Sequence, residues 1–296
     1  MIIIGGSNCK KLAEKTAKHL GAELVELEVR SFPDGETYVR VKGEVKGENV
    51  ALIQSLARNP NEALVELALA ADACRGLECN KLIGVIPYMA YARQDARFNP
   101  GEPISINVLA KMLSSIGFDV IITVDMHLHR IKDVVKLFSI PFQNLTATPL
   151  IAEHFSKSYP KENFIVVGPD EESRQWVSKV SEILKADYVI FEKERLSPTE
   201  VLLTSQISVD LRGKTALIVD DVISTGTTIA EAVKMSFNLG ASKVYAACVH
   251  PLLTGSALNK IMSAGAATVV GTDSVDSSIS VISLSPLLSE ALQRWS

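Results

Sequence analysis

Leu217 to Thr228 reads L-I-V-D-D-V-I-S-T-G-T-T: an apolar run, two adjacent acids, a loop of small residues and a helix start. A parallel strand that ends this way can hold a sugar phosphate at its carboxyl end. Backbone N–H groups of Ser224 to Thr228, with the hydroxyls of Ser224, Thr225, Thr227 and Thr228, can wrap phosphate oxygens where the following helix presents its positive end. Gly226 lets the backbone come close. Asp220 and Asp221 cannot bind phosphate themselves, so their natural partners are ribose hydroxyls or a metal held against the same ligand. The plainer alternative is a strand followed by an N-capped helix in an ordinary α/β protein.

Further segments carry reactive or charged groups. Phe32-Pro33-Asp34-Gly35-Glu36 sets two acids in a Pro-Asp-Gly turn, and turn formation alone accounts for its composition. In Tyr88 to Asp95 (Y-M-A-Y-A-R-Q-D), Arg93 offers a bidentate fork for phosphate, and Gln94 can read a base or bind a phosphate oxygen. On its own that loop reads equally as a solvated surface. Asp125-Met126-His127 places an acid and an imidazole two residues apart, on one side if strand geometry persists, where a divalent ion could bridge them. Magnesium prefers oxygen ligands and keeps several waters, so His127 would act directly or through water. His129 extends the pattern to H-L-H and raises a zinc hydrolase as a rival. That rival needs more ligands, and His19, His154 and His250 stand in no recognisable ligand spacing.

Gly168-Pro169-Asp170-Glu171-Glu172-Ser173 offers acids for a metal, although Glu172 or Ser173 also suits a helix cap. Lys193-Glu194-Arg195 leads into Leu196-Ser197-Pro198-Thr199, a stretch of turn character. Two cations on such an arm could close over a polyphosphate and neutralise charge building in the transition state. Alternatively they belong to a solvated charged hairpin. Gly213-Lys214-Thr215 looks like the end of a P-loop, but Ser208 stands where its first glycine belongs and the triplet precedes a strand. It reads as a turn.

These segments need a scaffold, and short apolar strands alternating with amphipathic helices predict a mostly parallel sheet with helices on both faces. Strands are predicted at Ile2–Ile4, Val50–Gln54, Leu82–Ile86 and Val120–Val124, and helices at Cys9–Leu20, Glu62–Arg75 and Ile104–Ile116. Gly21, Gly76 and Gly117 follow those helices, where a left-handed cap favours glycine. A second series follows, with strands at Phe164–Val167, Tyr188–Phe191, Ala216–Val219 and Val244–Val249. Its helices fall at Pro149–Ser158, Arg174–Leu184, Thr228–Asn238 and Ala257–Ala264. Val120–Asp125 (V-I-I-T-V-D) parallels Ala216–Asp221 (A-L-I-V-D-D), which suggests a duplicated unit whose second copy keeps the phosphate loop. The boundary is expected in the polar stretch Gln143 to Thr148. Most of the chemical groups then lie at carboxyl ends of strands, the ligand edge of an open α/β sheet.

Composition narrows the functional classes. At 296 residues, 47% hydrophobic and 22% charged, the chain can bury a substantial core and has no disorder signature. A net charge of −4 with no concentrated basic surface argues against a general nucleic-acid binder. No charged leader or long apolar run is apparent, so neither a signal peptide nor a membrane span is expected, and the default location is cytoplasmic. Cys9, Cys74, Cys79 and Cys248 lack C-x-x-C spacing and fit reduced, packed thiols.

Taken in order, F-P-D-G-E, Y-A-R-Q, D-M-H, G-P-D, K-E-R and V-D-D-V-I-S-T-G-T-T resemble the ribose-phosphate diphosphokinase, or phosphoribosyl diphosphate (PRPP) synthetase, family over essentially the whole chain. The resemblance implies an α/β fold of two similar type I phosphoribosyltransferase-like domains, each a mostly parallel sheet flanked by helices. These would be residues 1–145, with ATP and metal loops, and 146–285, with the ribose 5-phosphate loop and catalytic arm. A terminal helix, 286–296, would pack on the first domain. The implied activity moves the β,γ-diphosphoryl group of ATP to the 1-hydroxyl of ribose 5-phosphate, giving PRPP and AMP.

Carried over residue by residue, the resemblance implies ATP binding by Phe32, Asp34, Gly35, Glu36, Arg93 and Gln94. It implies Mg²⁺ at Asp125 and His127, with Asp170 a second metal position, and catalysis by Lys193 and Arg195. Ribose 5-phosphate would meet Arg195, Asp220, Asp221, Ser224, Thr225, Gly226, Thr227 and Thr228. The family also implies a homo-oligomer in which F-P-D-G-E completes a neighbouring subunit's active site. Asn99-Pro100-Gly101 and Ser224-Thr225-Gly226-Thr227 depart from the commonest bacterial and animal versions and look more like archaeal members, so the allosteric behaviour of the better-known branch is not carried over. Two alternatives stand beside this reading, the first of which shares the sugar loop. A type I phosphoribosyltransferase would consume PRPP and needs no F-P-D-G-E or R-Q segment. A non-catalytic regulator on this scaffold would typically have lost the cationic arm or the metal residues.

Overall fold

A computed structural model describes residues 1–127, 130–131, 133–195, 201–204 and 210–295, with backbone alone for 193–195 and 201–204. The chain divides into two compact units. The first comprises Met1–Thr146, Ser274–Asp276 and Ser283–Ser296, and the second Ala147–Asp273 and Ser277–Ile282.

In the first unit β1 (Ile2–Gly5), α1 (Lys10–Leu20), β2 (Glu23–Ser31), β3 (Thr37–Lys42), β4 (Asn49–Ile53), α2 (Pro60–Gly76), β5 (Lys81–Ile86), α3 (Ser105–Ser115), β6 (Val120–Val124) and β7 (Phe142–Leu145) follow one another. The sheet order is β3-β2-β1-β4-β5-β6-β7, parallel throughout except for β3, which returns antiparallel to β2. All of β1 and β6 is buried, which is why these strands read as unbroken apolar runs and not as alternations. Leu52, Leu82 and Ile86 of the strands meet Leu67, Leu109 and Leu113 of the helices in one core. Gly21 caps α1 at φ 64° and Gly117 follows α3 at φ 108°, as the sequence predicts. Gly76 does not act this way: α2 runs through it, and Glu78 takes the left-handed conformation at φ 60°.

The second unit contains α4 (Thr148–Ser158), β8 (Phe164–Gly168), α5 (Arg174–Leu184), β9 (Asp187–Ile190), β10 (Glu192–Arg195), β11 (Val201–Thr204), β12 (Thr215–Ile223), α6 (Thr227–Asn238), β13 (Lys243–Pro251), α7 (Ala257–Ser263), β14 (Thr268–Thr272) and β15 (Ser280–Ile282). Its parallel sheet is ordered β15-β14-β13-β12-β8-β9, and β10 pairs with β11 as a separate antiparallel hairpin. Gly213, at φ 72°, lies in the turn into β12, as expected for the false P-loop. The last helix, α8 (Ser285–Gln293), belongs to the first unit and packs on α1.

Counted along the chain, the parallel strands of both sheets stand second, first, third, fourth, fifth, sixth, and each unit has an antiparallel hairpin tied to its second strand or the segment after it. The two units therefore share a topology. The local match that suggested duplication is nonetheless out of register, because Val120–Val124 is the fifth parallel strand of its sheet while Thr215–Ile223 is the third of its own. The topological counterpart of β12 is β4. The main segment of the first unit ends at Thr146, inside the stretch Gln143 to Thr148, of which Gln143–Leu145 completes β7 and Thr148 opens α4.

Candidate functional site

Strand β12 runs past its predicted end at Val219 because its ladder with β13 continues through Asp220↔Cys248, Val222↔His250 and Ile223↔Pro251. Asp220 and Asp221 therefore sit within the strand, on opposite faces of the sheet. Asp220 is half-buried, with its carboxylate accepting the Asp221 N–H at 3.0 Å, and Asp221 is 2% exposed. Burial raises the thiol pKa of Cys248 beside them.

The loop after β12 turns at Gly226, whose φ of 73° favours glycine. A Cβ there would lie 2.7 Å from the Ala257 carbonyl oxygen, so the loop is pressed against the start of α7. Gly226 is also the N-cap of α6 and supplies no side-chain cap, which leaves amides of the first turn for an anion. Lys260, which sequence reasoning missed, donates to Thr227 Oγ1 at 2.8 Å and to the Thr225 carbonyl at 3.1 Å. Its signal was a lone lysine on α7, visible only once α7 is seen against the loop.

Asp170 lies at the carboxyl end of β8, the strand hydrogen-bonded to β12, so its loop and the Asp220–Thr228 segment share one edge of the sheet. The Ser173 hydroxyl donates to the Asp170 carbonyl at 2.6 Å, and the short 3-10 turn Glu171–Ser173 starts α5. Ser173 is the N-cap residue of α5 but makes no side-chain cap bond. Glu171 pairs with Arg174, which holds its carboxyl below the usual range. Lys193 and Arg195 lie in β10, opposite Leu203 and Val201 of β11, and their side chains are outside the described residues, as is Leu196 to Thr199.

In the first unit, Arg93 and Gln94 follow β5, and Asp125 and His127 follow the adjacent β6. Asp125 has φ 35°, an uncommon conformation for a non-glycine residue, and donates its N–H to Leu145 O at 2.8 Å. The strand thus stops at Val124, and the alternation that was to place Asp125 and His127 on one side does not persist. Asp125 is buried and His127 half-buried. His129 lies outside the described residues, among which no group of three or more His, Cys, Asp or Glu side chains gathers.

Arg93 is exposed, and the side-chain amide oxygen Oε1 of Gln94 accepts the Ser105 hydroxyl. Buried Asp95 ties this loop to the one after β6, accepting the Arg130 N–H at 3.0 Å and its guanidinium at 2.8 Å. Sequence reasoning missed Arg130, whose partner is distant along the chain.

Phe32–Glu36 forms the tip of the β2–β3 hairpin, where Gly35 at φ 94° donates to Phe32 O at 2.9 Å and Glu36 N–H meets Asp34 Oδ1 at 3.3 Å. The whole tip is exposed, and the Arg30 guanidinium lies 4.9 Å from the Phe32 ring centroid. Three strand spacings, roughly 14 Å, separate β2 from β5, so the hairpin stands apart from the Arg93 loop along the same sheet edge.

All four cysteines are free and buried, with Cys74 pushed up to about 12 by burial. No helix among the described residues is long and apolar enough to cross a membrane.

Two doubly covered parallel sheets of one topology, the second carrying a glycine-turned hydroxyl loop at a helix start, define a protein of the phosphoribosyltransferase fold class. Comparison with known proteins agrees. Residues 1–117 match the N-terminal domain of ribose phosphate pyrophosphokinase, and residues 143–264 match the phosphoribosyl transferase domain. A ribose-phosphate pyrophosphokinase of Methanopyrus kandleri is 36% identical over 100% of both chains. One from Methanothermobacter thermautotrophicus is 39% identical over 99% of this chain and 100% of that one. The crystal structure of phosphoribosylpyrophosphate synthetase from Mycobacterium smegmatis superposes with a TM-score of 0.87 at 27% identity, covering 99% of this chain and 98% of that one. The chain belongs to the ribose-phosphate pyrophosphokinase family.

Proposed function

We propose that the chain makes PRPP for nucleotide biosynthesis, taking a diphosphoryl group from ATP and ribose 5-phosphate as its acceptor. The 1-hydroxyl oxygen of the sugar attacks the β-phosphorus, the bond to the α-phosphate's bridging oxygen breaks, and AMP leaves. Such transfers depend on positioning and charge stabilisation, so no protein nucleophile is required. The observation that carries the reading is the Ser224–Thr228 loop, with a glycine N-cap, free of side-chain capping and braced by Lys260.

In this reading the amides and hydroxyls of Ser224, Thr225, Gly226, Thr227 and Thr228 hold the 5-phosphate, while Asp220 and Asp221 orient the ribose hydroxyls. Phe32, Asp34, Gly35, Glu36, Arg93 and Gln94 bind ATP. Lys193 and Arg195 neutralise charge on the migrating group, with Arg195 also meeting the sugar phosphate. One Mg²⁺ would be held by Asp125 and His127, with Asp170 a second metal position, and when bound the metal neutralises polyphosphate charge. The donor chemistry fits: each position has an aspartate at a strand end to supply hard oxygen, and magnesium usually needs only one or two carboxylates beside phosphate oxygens and water.

The domain assignment follows the same reading, with residues 1–145 serving ATP and metal, 146–285 the sugar phosphate, and 286–296 returning as a terminal helix. The exposed hairpin tip at Phe32–Glu36, remote from Arg93 in its own sheet, supports a homo-oligomer in which that tip serves a neighbouring subunit. A cytoplasmic location suits these substrates. AMP formation that depends on ribose 5-phosphate tests the reading.

A further inference from the structure

Three residues beyond His127, Arg130 reaches back to the loop that carries Arg93 and Gln94. Its backbone N–H donates to Asp95 Oδ2 at 3.0 Å and its guanidinium to Asp95 Oδ1 at 2.8 Å, so one residue engages both carboxylate oxygens. The Asp95 side chain is 2% exposed, against 49% for Arg130. An ion pair between two exposed side chains holds little, but a carboxylate sealed from water and met by two charge-assisted or backbone donors keeps its geometry. The Arg130 guanidinium also lies 5.2 Å from the centre of the Phe98 ring, so the loop after β5 grips it at a second point. Phe98 is itself held, because its N–H and that of Asn99 donate to the Glu102 carboxylate at 2.8 and 3.1 Å.

The loop after β6 is fastened on its other side too. Asp125 N–H donates to Leu145 O at 2.8 Å and Met126 N–H to Asn144 Oδ1 at 3.1 Å, both on β7. His127 therefore stands in the chain between an anchor on β7 and an anchor on Asp95. The φ of 35° at Asp125 belongs to a conformation that persists only where its surroundings hold it. The ladder between β5 and β6 ends at Ile86↔Thr123, so beyond that pair the spacing of the two loops is no longer set by the sheet.

Together Asp95 and Arg130 are neutral and bring no net attraction for a polyphosphate. What they supply is position. Magnesium demands near-octahedral geometry, so an ion shared between ATP oxygens and the Asp125–His127 pair is sensitive to how far the two loops stand apart.

We propose that Asp95 and Arg130, backed by Phe98, are positioning residues that hold the Arg93–Gln94 loop and the Asp125–His127 loop at the spacing in which one Mg²⁺ bridges them through bound ATP. The inference rests on the ATP and metal roles proposed above. It adds that nucleotide and metal binding are coupled through two residues to which neither ligand is assigned.

Calorimetric titration of the full chain, without ribose 5-phosphate, should compare ATP in EDTA with ATP in excess Mg²⁺. Arg130→Gln should weaken binding of the magnesium complex roughly tenfold and that of metal-free ATP less than about twofold, because only the bridged ligand uses both loops. Arg130 is half-exposed and its backbone donor survives the substitution, so the variant should fold, which a melting profile will verify. Arg130→Lys keeps a cation for Asp95 and should recover most of the affinity for the magnesium complex. Asp95→Asn should show the same selective loss, and the double variant Asp95→Asn/Arg130→Gln should be little worse than either alone, since each breaks the same link. A lowered Tm without the selective loss, or equal weakening of both forms of ATP, makes the pair a purely structural one and overturns the proposal. Arg93→Gln separates the two levels. If it weakens both forms of ATP while Arg130→Gln weakens neither, the nucleotide assignment stands and the link alone falls; if Arg93→Gln weakens neither, the assignment falls and takes the link with it.

Discussion

The ammonium group of Lys260 stands 2.8 Å from the hydroxyl of Thr227 and 3.1 Å from the carbonyl of Thr225, so α7 braces the loop that starts α6. Lys260→Met removes a charge-assisted contact of roughly 1.5–3 kcal/mol. Because Lys260 is exposed, the lower end applies, and KM for ribose 5-phosphate should rise about tenfold while kcat falls much less. Lys260→Arg should restore most of the loss. Equal losses in KM and kcat, without rescue by arginine, would count against a role in holding the loop.

Gly226 tests the same loop from its backbone. An alanine would pay about 1–2 kcal/mol for the left-handed conformation, and its Cβ would meet the Ala257 carbonyl at 2.7 Å. Gly226→Ala should therefore lower Tm by a few degrees and abolish most ribose 5-phosphate binding by calorimetry. Wild-type binding in this variant would show that the turn does not set the cradle.

These positions also mark how far the sequence could be read. Strands buried on both faces, such as Ile2–Gly5 and Val120–Val124, are legible because an apolar run bounded by turn residues has little else to become. The hydroxyl loop is legible because its residue types and its helix are adjacent in sequence. The hairpin strands β2 and β3 were not assigned, since mixed charged and apolar residues there serve an exposed edge. Strand β7, F-Q-N-L, reads as a polar connection because only Phe142 is buried. Lys260 and Arg130 were missed because their roles depend on contacts with residues more than 30 positions away. The mismatch between Val120–Asp125 and Ala216–Asp221 has a similar cause: an apolar run ending in acid recurs at many strand ends, and only strand order separates the third from the fifth.

Glu162 supplies a pH test at the opposite end of the second unit's strands. Hydrogen bonds from Lys243 and then Thr215 hold its carboxyl below the ordinary value of 4.5, while the same pairing raises Lys243 above 10.5. A depressed carboxylate contributes stability above its unfolded pKa and loses it as pH falls through the folded value. The raised lysine contributes below its unfolded pKa and loses its share as pH rises through the folded one. The Tm difference between wild type and Glu162→Gln should thus be steady near neutrality and narrow below pH 4.5. A difference that widens on acidification would contradict the assignment of charge.

Lys193→Ala should lower turnover by about a hundredfold or more if its ammonium stabilises the migrating diphosphoryl group, because lost transition-state contacts commonly have that effect. Ribose 5-phosphate affinity, measured by calorimetry, should be nearly unchanged. Near-normal turnover would remove the proposed role.

The most direct test of the central claim is to mix the purified chain with ATP and Mg²⁺, with and without ribose 5-phosphate, and measure AMP and PRPP together. Stoichiometric AMP and PRPP that appear only when the sugar phosphate is present are the predicted result. AMP released equally without it, or no AMP under any metal and nucleotide supply while ribose 5-phosphate still binds, would contradict the account.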